Sequence, residues 1–540
     1  MGGPAASARR EERSGGTAPK ASSPAVVVLH ARGANRSTRA VSRNEGNEVR
    51  RDKRQGFTEA HSTGNAGTPT PGDPAEGRGG RVTEPREGKA AGSPTSDKVS
   101  TKLARIAELA KEDSSRALRS LAHHIDAEFL KEAFQRTRKD GATGVDGVGA
   151  EDYEANLDAN LASLLDRFKS GTYRAPPVRR VHIPKGDGST RPIGIPSFED
   201  KVLQRAVAMV LNAVYEQDFL ACSYGFRPRR SAHQALDALW KGLMDTGDCW
   251  IVDADIKGFF DTLEPKHLRD FLDLRVQDGV IRRTIDKWLK AGVQEDGSLS
   301  FPDTGTPQGG VISPILANVY LHEALDKWFH DVVKPRLTGE GFMVRYADDF
   351  VLVFALEEDA RRVLEVLPKR FGKYGLTLHP TKTRLVHFAM PDGTEDDSDS
   401  EDNDGGNAPR TFTLLGFTHY WARSRAGNQV VKRKTSKSRL ARAIARISEW
   451  CGQHLHEPIA EQCKVLGQKL RGHCNYYGIT GNSGALGEFR KELLRAWRAA
   501  LDRRSHHAHM TWDNFNRLLE HHPIPAAIAV HSTLRLAAKP

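Results

Sequence analysis

The stretch "GFMVRYADDFVLVF", residues 341–354, sets two adjacent aspartates, Asp348 and Asp349, between two apolar runs. Each run is short and rich in aromatic and β-branched residues, the pattern of a buried strand, so the aspartates fall at the bend of a hairpin. Neighbouring carboxylates repel one another and lose hydration free energy near a core. A solvated turn accommodates such a pair, and so does a divalent cation held between them. Which reading applies depends on whether the chain supplies further carboxylates at the same place.

One candidate lies upstream. "DCWIVDADIKGFFD" reads as a short, almost continuous apolar strand carrying Asp253 and Asp255, with Asp255 at its C-terminal end. If this strand neighbours the hairpin, Asp255, Asp348 and Asp349 converge; otherwise they are three turn or strand-end aspartates. Mg²⁺ prefers hard oxygen ligands and keeps part of its water, so a few carboxylates suffice to hold it. Two-metal phosphoryl transfer requires a pair of such ions, one at the attacking oxygen and one at the leaving group.

The whole chain has 540 residues, 28% charged and 38% hydrophobic, with a formal net charge of +11. That length allows about three domains, and the charge makes a polyanion the first partner to consider. Cys222, Cys249, Cys451, Cys463 and Cys474 lie far apart without a CxxC pair, as expected of free thiols in a reducing compartment. No run approaches the roughly 20 apolar residues of a membrane span. The N-terminus lacks a secretory core, and Glu11 and Glu12 speak against an organellar transit peptide. The expected location is the cytoplasm (bacterial, nucleoid-associated), with an organelle less favoured.

Residues 1–100 are rich in Gly, Pro, Ser, Thr and Arg, a composition that reads as a disordered leader. Leu103, Ile106, Leu109 and Ala110, then Ile125, Phe129, Leu130 and Phe134, repeat at helical spacing, and "NLDANLASLLDRFKSGTY" reads as a helix ending at Gly171. "VRRVHIPKGDGSTRPIGIP" reads as two strands around a Gly-rich turn flanked by Lys185 and Arg191. Helices are expected at "EDKVLQRAVAMVLNAVYEQ", at "GVISPILANVYLHEALDKWFHDVV" and over 357–374, and a strand at "TRLVHF". This order predicts an antiparallel sheet with helices on one face. "DGTEDDSDSEDND" holds eight acids and no base, and reads as a solvated loop; from Arg410 to Arg446 there follow ten Lys or Arg and no acid. The last stretch reads as helices.

Several blocks taken together resemble reverse transcriptases. "RYADDFVLVF" is similar to their YxDD block and "VDADIKGFFD" to their first palm motif. "GTPQGGVISPILANVYL", "GLTLHPTKT" and "LLGF" follow in the family's order, while "RRVHIPKGDGSTRPIGIP" and "SYGFRPRRSAHQAL" resemble the fingers blocks. The variants resemble the group II intron enzymes, the maturases, and "RGHCNYYG" (471–478) resembles an element of their splicing domain. The resemblance implies an α+β right-hand polymerase, fingers and palm with antiparallel sheet, followed by an all-helical thumb/maturase domain. The expected boundaries are a leader over 1–100, N-terminal extension and fingers over 101–240, palm over 241–409 with an acidic insert at 391–409, and thumb/maturase over 410–540.

By the same resemblance, Asp255, Asp348 and Asp349 are the ligands of two Mg²⁺ ions, with Mn²⁺ as the alternative metal, and Asp253 is a supporting residue. Phe260 matches the bulky side chain that excludes a ribose 2′-hydroxyl, though core packing would look the same. Tyr346 matches the aromatic at the primer end. Lys185 and Arg191 match a cationic pair for the incoming triphosphate; Gln308, with Pro307 and Gly309 shaping its loop, matches the template and nucleotide contact. Lys382 matches the lysine that protonates pyrophosphate, a role a simple phosphate contact would mimic. Arg433, Lys434, Lys437, Arg471, Tyr476 and Tyr477 are the candidates for RNA binding, cations for the backbone and aromatics for unpaired bases. The partners so implied are an intron RNA template, a DNA target and primer, and deoxynucleoside triphosphates, without a membrane; a homodimer is left open.

Cys451, His454, His456, Cys463, His473 and Cys474 lack the spacing of a structural zinc site, and no endonuclease domain is expected. The expected function is RNA-directed DNA synthesis coupled to binding, splicing and mobility of the host intron. Two alternatives stand beside it: an RNA-binding splicing cofactor without polymerase activity, and a domesticated defence or CRISPR-associated reverse transcriptase.

Overall fold

The computed structural model describes residues 94–184, 190–295, 298–301, 309–390, 410–424, 426–504 and 509–531. The expectations for a disordered leader and for the acidic insert 391–409 fall outside the described residues, apart from the leader's last few residues, which already belong to the first helix. That helix, α1 (Pro94–Glu112), leads into α2 (Ala127–Arg136), α3 (Ala150–Glu154) and α4 (Leu157–Ser170). Local chemistry sets their ends: the Asp126 side chain accepts the Phe129 N–H at the start of α2, and Gly171 (φ 78°) closes α4 in the left-handed region, as its sequence predicts.

A first sheet follows, with β1 (Val178–Pro184) and β2 (Thr190–Ile195) paired as an antiparallel hairpin. Next come α5 (Phe198–Tyr215), α6 (Ala232–Thr246), β3 (Cys249–Ala254), α7 (Phe259–Thr262), α8 (Pro265–Asp273) and α9 (Gly279–Leu289). β4 (Val293–Glu295) pairs β1 in parallel, and β5 (Ser298–Ser300) completes the order β2-β1-β4-β5. The expected antiparallel character of this region thus gives way to a mixed sheet, because β4 arrives after a long helical crossover rather than a hairpin.

The chain continues through α10 (Ser313–Leu321), β6 (Gly341–Tyr346), β7 (Asp349–Phe354), α11 (Glu357–Gly372) and β8 (Arg384–Phe388). One long helix was expected over "GVISPILANVYLHEALDKWFHDVV"; instead the α-helical part stops at Leu321 and two π-helical turns, His322–Asp326 and Trp328–Val333, follow. The second sheet has the order β6-β7-β3-β8 and is antiparallel throughout. Its central strands alternate between two cores. Val252, Ala254, Phe350, Leu352 and Phe354 pack with the helices of one face; Ile251, Val351, Val353 and Val386 pack toward the other. Helices on one face only were expected, but these strands are apolar on both sides and both sides are covered.

The second cover is α6 together with a third sheet, β9 (Phe412–Leu414), β10 (Phe417–Arg423) and β11 (Gln429–Thr435), in the order β11-β10-β9. The expectation of an all-helical 410–540 is corrected here: helices begin only with α12 (Lys437–Gln453), then α13 (Ile459–Tyr477), α14 (Ser483–Asp502) and α15 (Trp512–His521). The strands escaped the helical reading because basic residues lie between their inward apolar positions, Phe417, Trp421 and Val431. The helices share a separate core around Leu466, Leu470, Phe489, Leu493 and Trp497.

Candidate active site

The turn between β6 and β7 is a two-residue hairpin loop. Tyr346 pairs with Asp349, leaving Ala347 and Asp348 at the bend, and Ala347 takes φ 57°. A non-glycine residue in the left-handed region carries a cost of about 1 kcal/mol, so the surroundings must hold it. Gly225, from "SYGFRP", lies directly against it: a Cβ there would come within 2.2 Å of the Ala347 nitrogen. The Tyr346 side chain is buried beside Phe226, with ring centroids 6.4 Å apart.

β3 runs antiparallel to β7 with Ala254 opposite Phe350. Asp255 is the next residue, so it leaves the sheet beside Asp349 at the end that carries the Asp348 turn, strands there being about 4.8 Å apart. The backbone of Asp255 is pinned from the other side, its carbonyl accepting the His379 N–H at 2.7 Å. That contact delivers "HPTK": Lys382 Nζ lies 3.0 Å from Asp255 Oδ2. The sequence-predicted Asp255, Asp348, Asp349 and Lys382 therefore gather at one end of the sheet. Asp253, two residues back, is tied to Arg384 at 3.1 Å; burial pushes its carboxyl up and Arg384 draws it back.

These residues suit a divalent ion in donor chemistry, being hard carboxylate oxygens on adjacent strand ends, one of them already engaged with a cation. Their side chains do not stand as a closed ligand set: among the described residues no group of three His, Cys, Asp or Glu is placed to hold a metal.

The other expected residues are distributed as follows. Phe260 sits on α7, partly buried, its ring 5.3 Å from Phe259 at 66°. Arg191 lies on β2 opposite Ile183. Lys185, Pro307 and Gln308 fall outside the described residues. Gly309 is described, with φ 113°, and a Cβ there would meet the Gly194 carbonyl oxygen at 2.6 Å, so the end of "TPQGG" lies on β2. Behind that loop is a buried hub missed in the sequence. Asp200 accepts from Tyr173 Oη, from Trp288 Nε1 at 2.6 Å and from Gln204 Nε2 at 3.0 Å, while Gln204 Oε1 accepts the Ile312 N–H at 3.3 Å. Burial pushes Asp200 up to about 6 against these hydrogen bonds. An acid among apolar helix positions in "FEDKVLQRAV" is the signal that was available.

Of the RNA-binding candidates, Arg433 is corrected. Its side chain is buried and bonded to Asp237 at 2.9 Å, stitching β11 to α6, because alternation along β11 turns it inward. Lys434 lies on the opposite face, 4.8 Å from the centre of the Tyr420 ring, and Lys437 and Arg471 are exposed. Tyr476 donates to the Leu415 carbonyl at 2.9 Å and stands edge-on to Tyr477. Both tyrosines line a cleft of about 240 Å³ with Asp349, Ser436, Arg439 and Arg442. The cleft runs from the carboxylate end of the sheet to the start of α12, whose first turn contains no acid.

Comparison with known proteins agrees with this arrangement. The model of the reverse transcriptase (RNA-dependent DNA polymerase) family matches residues 183–419, which implies the right-hand polymerase fold. Protein YkfC of Escherichia coli is 34% identical over 329 residues, 54% of this chain and 85% of that protein. The group II intron-encoded protein LtrA of Lactococcus lactis is 28% identical over 443 residues, 66% of this chain and 70% of LtrA. A 91 kDa protein in the cob intron of Schizosaccharomyces pombe is 30% identical over 281 residues, 42% of this chain and 34% of that protein. Reverse transcriptases work with divalent metal ions on an RNA template, and no helix among the described residues is long and apolar enough to cross a membrane. The chain belongs to the group II intron-encoded branch of the reverse transcriptases, RNA-directed DNA polymerases.

Proposed function

We propose that the chain copies its own intron RNA into DNA with two Mg²⁺ ions, Mn²⁺ being the alternative, and binds that RNA to assist splicing and mobility. The observation that carries the reading is the register setting Asp255 beside the Asp348–Asp349 turn, with Lys382 on Asp255. When bound, the metal pair supplies activation of the primer 3′-hydroxyl and neutralises charge on the departing pyrophosphate.

The chain's own residues do the rest. Asp255, Asp348 and Asp349 offer the oxygens that hold the ions. Lys382, within reach of the same carboxylate, brings an ammonium proton to the pyrophosphate oxygen as the bond to the α-phosphorus breaks. Phe260 and Arg191 shape and charge the nucleotide pocket together with Lys185 and Gln308, while Pro307, Gly309 and Tyr346 border template and primer. The cleft bordered by Asp349, Arg439, Arg442, Tyr476 and Tyr477 suits the primer strand, with cations for phosphates and tyrosines for a nucleobase or sugar. Lys434, Lys437 and Arg471 contribute backbone contacts to intron RNA, whose own chemistry splices it while the protein stabilises its active shape.

The test is primer extension by the purified full chain, with a DNA primer on an RNA template, Mg²⁺ and deoxynucleotides. Extension by the wild type and its loss in Asp348→Ala, by about 1000-fold or more, is the expected result. A folded wild type that binds RNA tightly yet does not extend would replace this reading with that of a splicing cofactor.

A further inference from the structure

A cation lies at the root of the catalytic hairpin. In "FMVRYADD" the residue before Tyr346 is Arg345, fully buried in an otherwise apolar strand. All five of its donors are used. Nε and one Nη2 hydrogen go to the two oxygens of Asp326, at 2.7 and 2.5 Å; the other Nη2 hydrogen goes to Ser223 Oγ at 2.8 Å. Nη1 donates to Asn318 Oδ1 at 3.1 Å and to the carbonyl oxygen of Ala347 at 3.0 Å. The last acceptor belongs to the turn itself, at the residue with φ 57°.

The partners come from separate parts of the fold. Asn318 is on α10 and Asp326 on the first π-helical turn, while Ser223 belongs to the segment before α6. The same segment pairs with the hairpin strand through its backbone, Arg345 N–H to the Cys222 carbonyl at 2.8 Å and Tyr224 N–H to the Arg345 carbonyl at 2.9 Å. Asn318 Nδ2 also donates to the Gly225 carbonyl at 2.7 Å, and Gly225 is the glycine pressed against Ala347. The turn is thus held at its carbonyl by the guanidinium, while the Gly225 backbone packs against its nitrogen. A buried ion pair adds little net stability relative to apolar residues of the same volume. A planar fork with five fixed donors does add directional constraint, and here it ends on the residue before Asp348.

We infer that Arg345, clamped by Asp326, Asn318 and Ser223, is the positioning residue of the Asp348–Asp349 turn. It aims the two carboxylates without touching substrate or metal. The inference rests on the proposed role of those aspartates in catalysis.

The experiment compares full-length Arg345→Lys, Asn318→Ala and Asp348→Ala with the wild type. Arg345→Lys keeps a cation opposite Asp326 but cannot also span to Ala347; Asn318→Ala keeps the Arg345–Asp326 pair and removes the tie to Gly225. Four quantities are measured: melting temperature, affinity for template–primer, kcat and KM for nucleotide, and the Mg²⁺ concentration at half-maximal rate. Arg345→Lys is expected to lose about 100-fold in kcat, the scale of a misplacement near 1 Å, and to need several-fold more Mg²⁺. Affinity for template–primer should stay within about twofold of the wild type. Asn318→Ala should shift kcat and Mg²⁺ demand in the same direction by about 10-fold, and it decides the matter if Arg345→Lys does not fold. Wild-type kcat and Mg²⁺ demand in the folded variants, beside an inactive Asp348→Ala, would overturn the inference. So would a loss of rate that only follows a loss of folded protein or of template–primer affinity. Full activity of Asp348→Ala would instead overturn the catalytic reading on which the inference stands.

Discussion

Gly225 shows how a single hydrogen in place of a methyl group governs the site. No other residue leaves room for the Ala347 nitrogen, and the atoms it would strike are backbone, which cannot swing aside as a side chain does. Gly225→Ala should therefore displace the Asp348 turn rather than merely crowd a pocket, at a cost of about 1–3 kcal/mol in stability. Primer extension should fall by about 10-fold or more in kcat, and thermal melting of the same variant gives the stability term. An unchanged kcat with a lowered melting temperature would show that the turn moves as a whole without consequence for the carboxylates. Lys382 invites a parallel measurement. Lys382→Ala should slow the chemical step by about 100-fold, whereas Lys382→Arg, keeping charge but not a readily lost proton, should recover nucleotide affinity more than rate. Single-turnover extension separates the two.

Among the elements, the sheet β9–β10–β11 has the most particular chemistry. His419 lies on β10 fully buried, its ring stacked on Phe412 at 4.7 Å and 7°. Burial, with Arg433 nearby, pushes its imidazole down to about 3. The folded sheet thus holds His419 neutral, while the unfolded chain takes up a proton below its ordinary value of 6.5. The contribution to stability is complete above that value and is lost progressively as pH falls toward 3; at pH 5 the loss is about 2 kcal/mol. His419→Leu should flatten this part of the pH–stability profile, measured by denaturant unfolding between pH 5 and 7. Burial also pushes His473 on α13, stacked on Phe489 at 3.9 Å, down to about 4, and pushes His124 and His233 down as well, so His419→Leu should remove one proton from the acid limb and leave theirs.

Across the whole molecule the net charge of +11 is unevenly placed, with ten cations and no acid over residues 410–446. Structure divides that run: Arg433 is used within the fold, whereas Lys437 is exposed and Arg439 and Arg442 line the cleft. Binding to single-stranded RNA should weaken steeply with salt, each lost phosphate contact reducing the slope of log K against log salt by about 0.7. Lys437→Ala should show that reduction, measured by filter binding over a salt series. Arg433→Ala should not; its effect should appear in the melting temperature.

The placing of Asp255, Asp348 and Asp349 at strand ends, the order of the polymerase blocks and several of the helices were legible in the sequence because each rests on local chemistry. A strand declares itself by apolar runs, a helix end by Gly171, and the hairpin turn by two carboxylates that no core would accept unaided. Tertiary structure alone decided the rest. That both faces of the β6-β7-β3-β8 sheet are covered, that β9, β10 and β11 form a sheet within the basic run, and that Arg433 faces inward follow from pairings between distant segments. Arg345 went unremarked in the sequence, one charge within a run that reads as apolar. Only the fold showed its five acceptors, because they arrive from three separate stretches of chain and meet nowhere in the linear order.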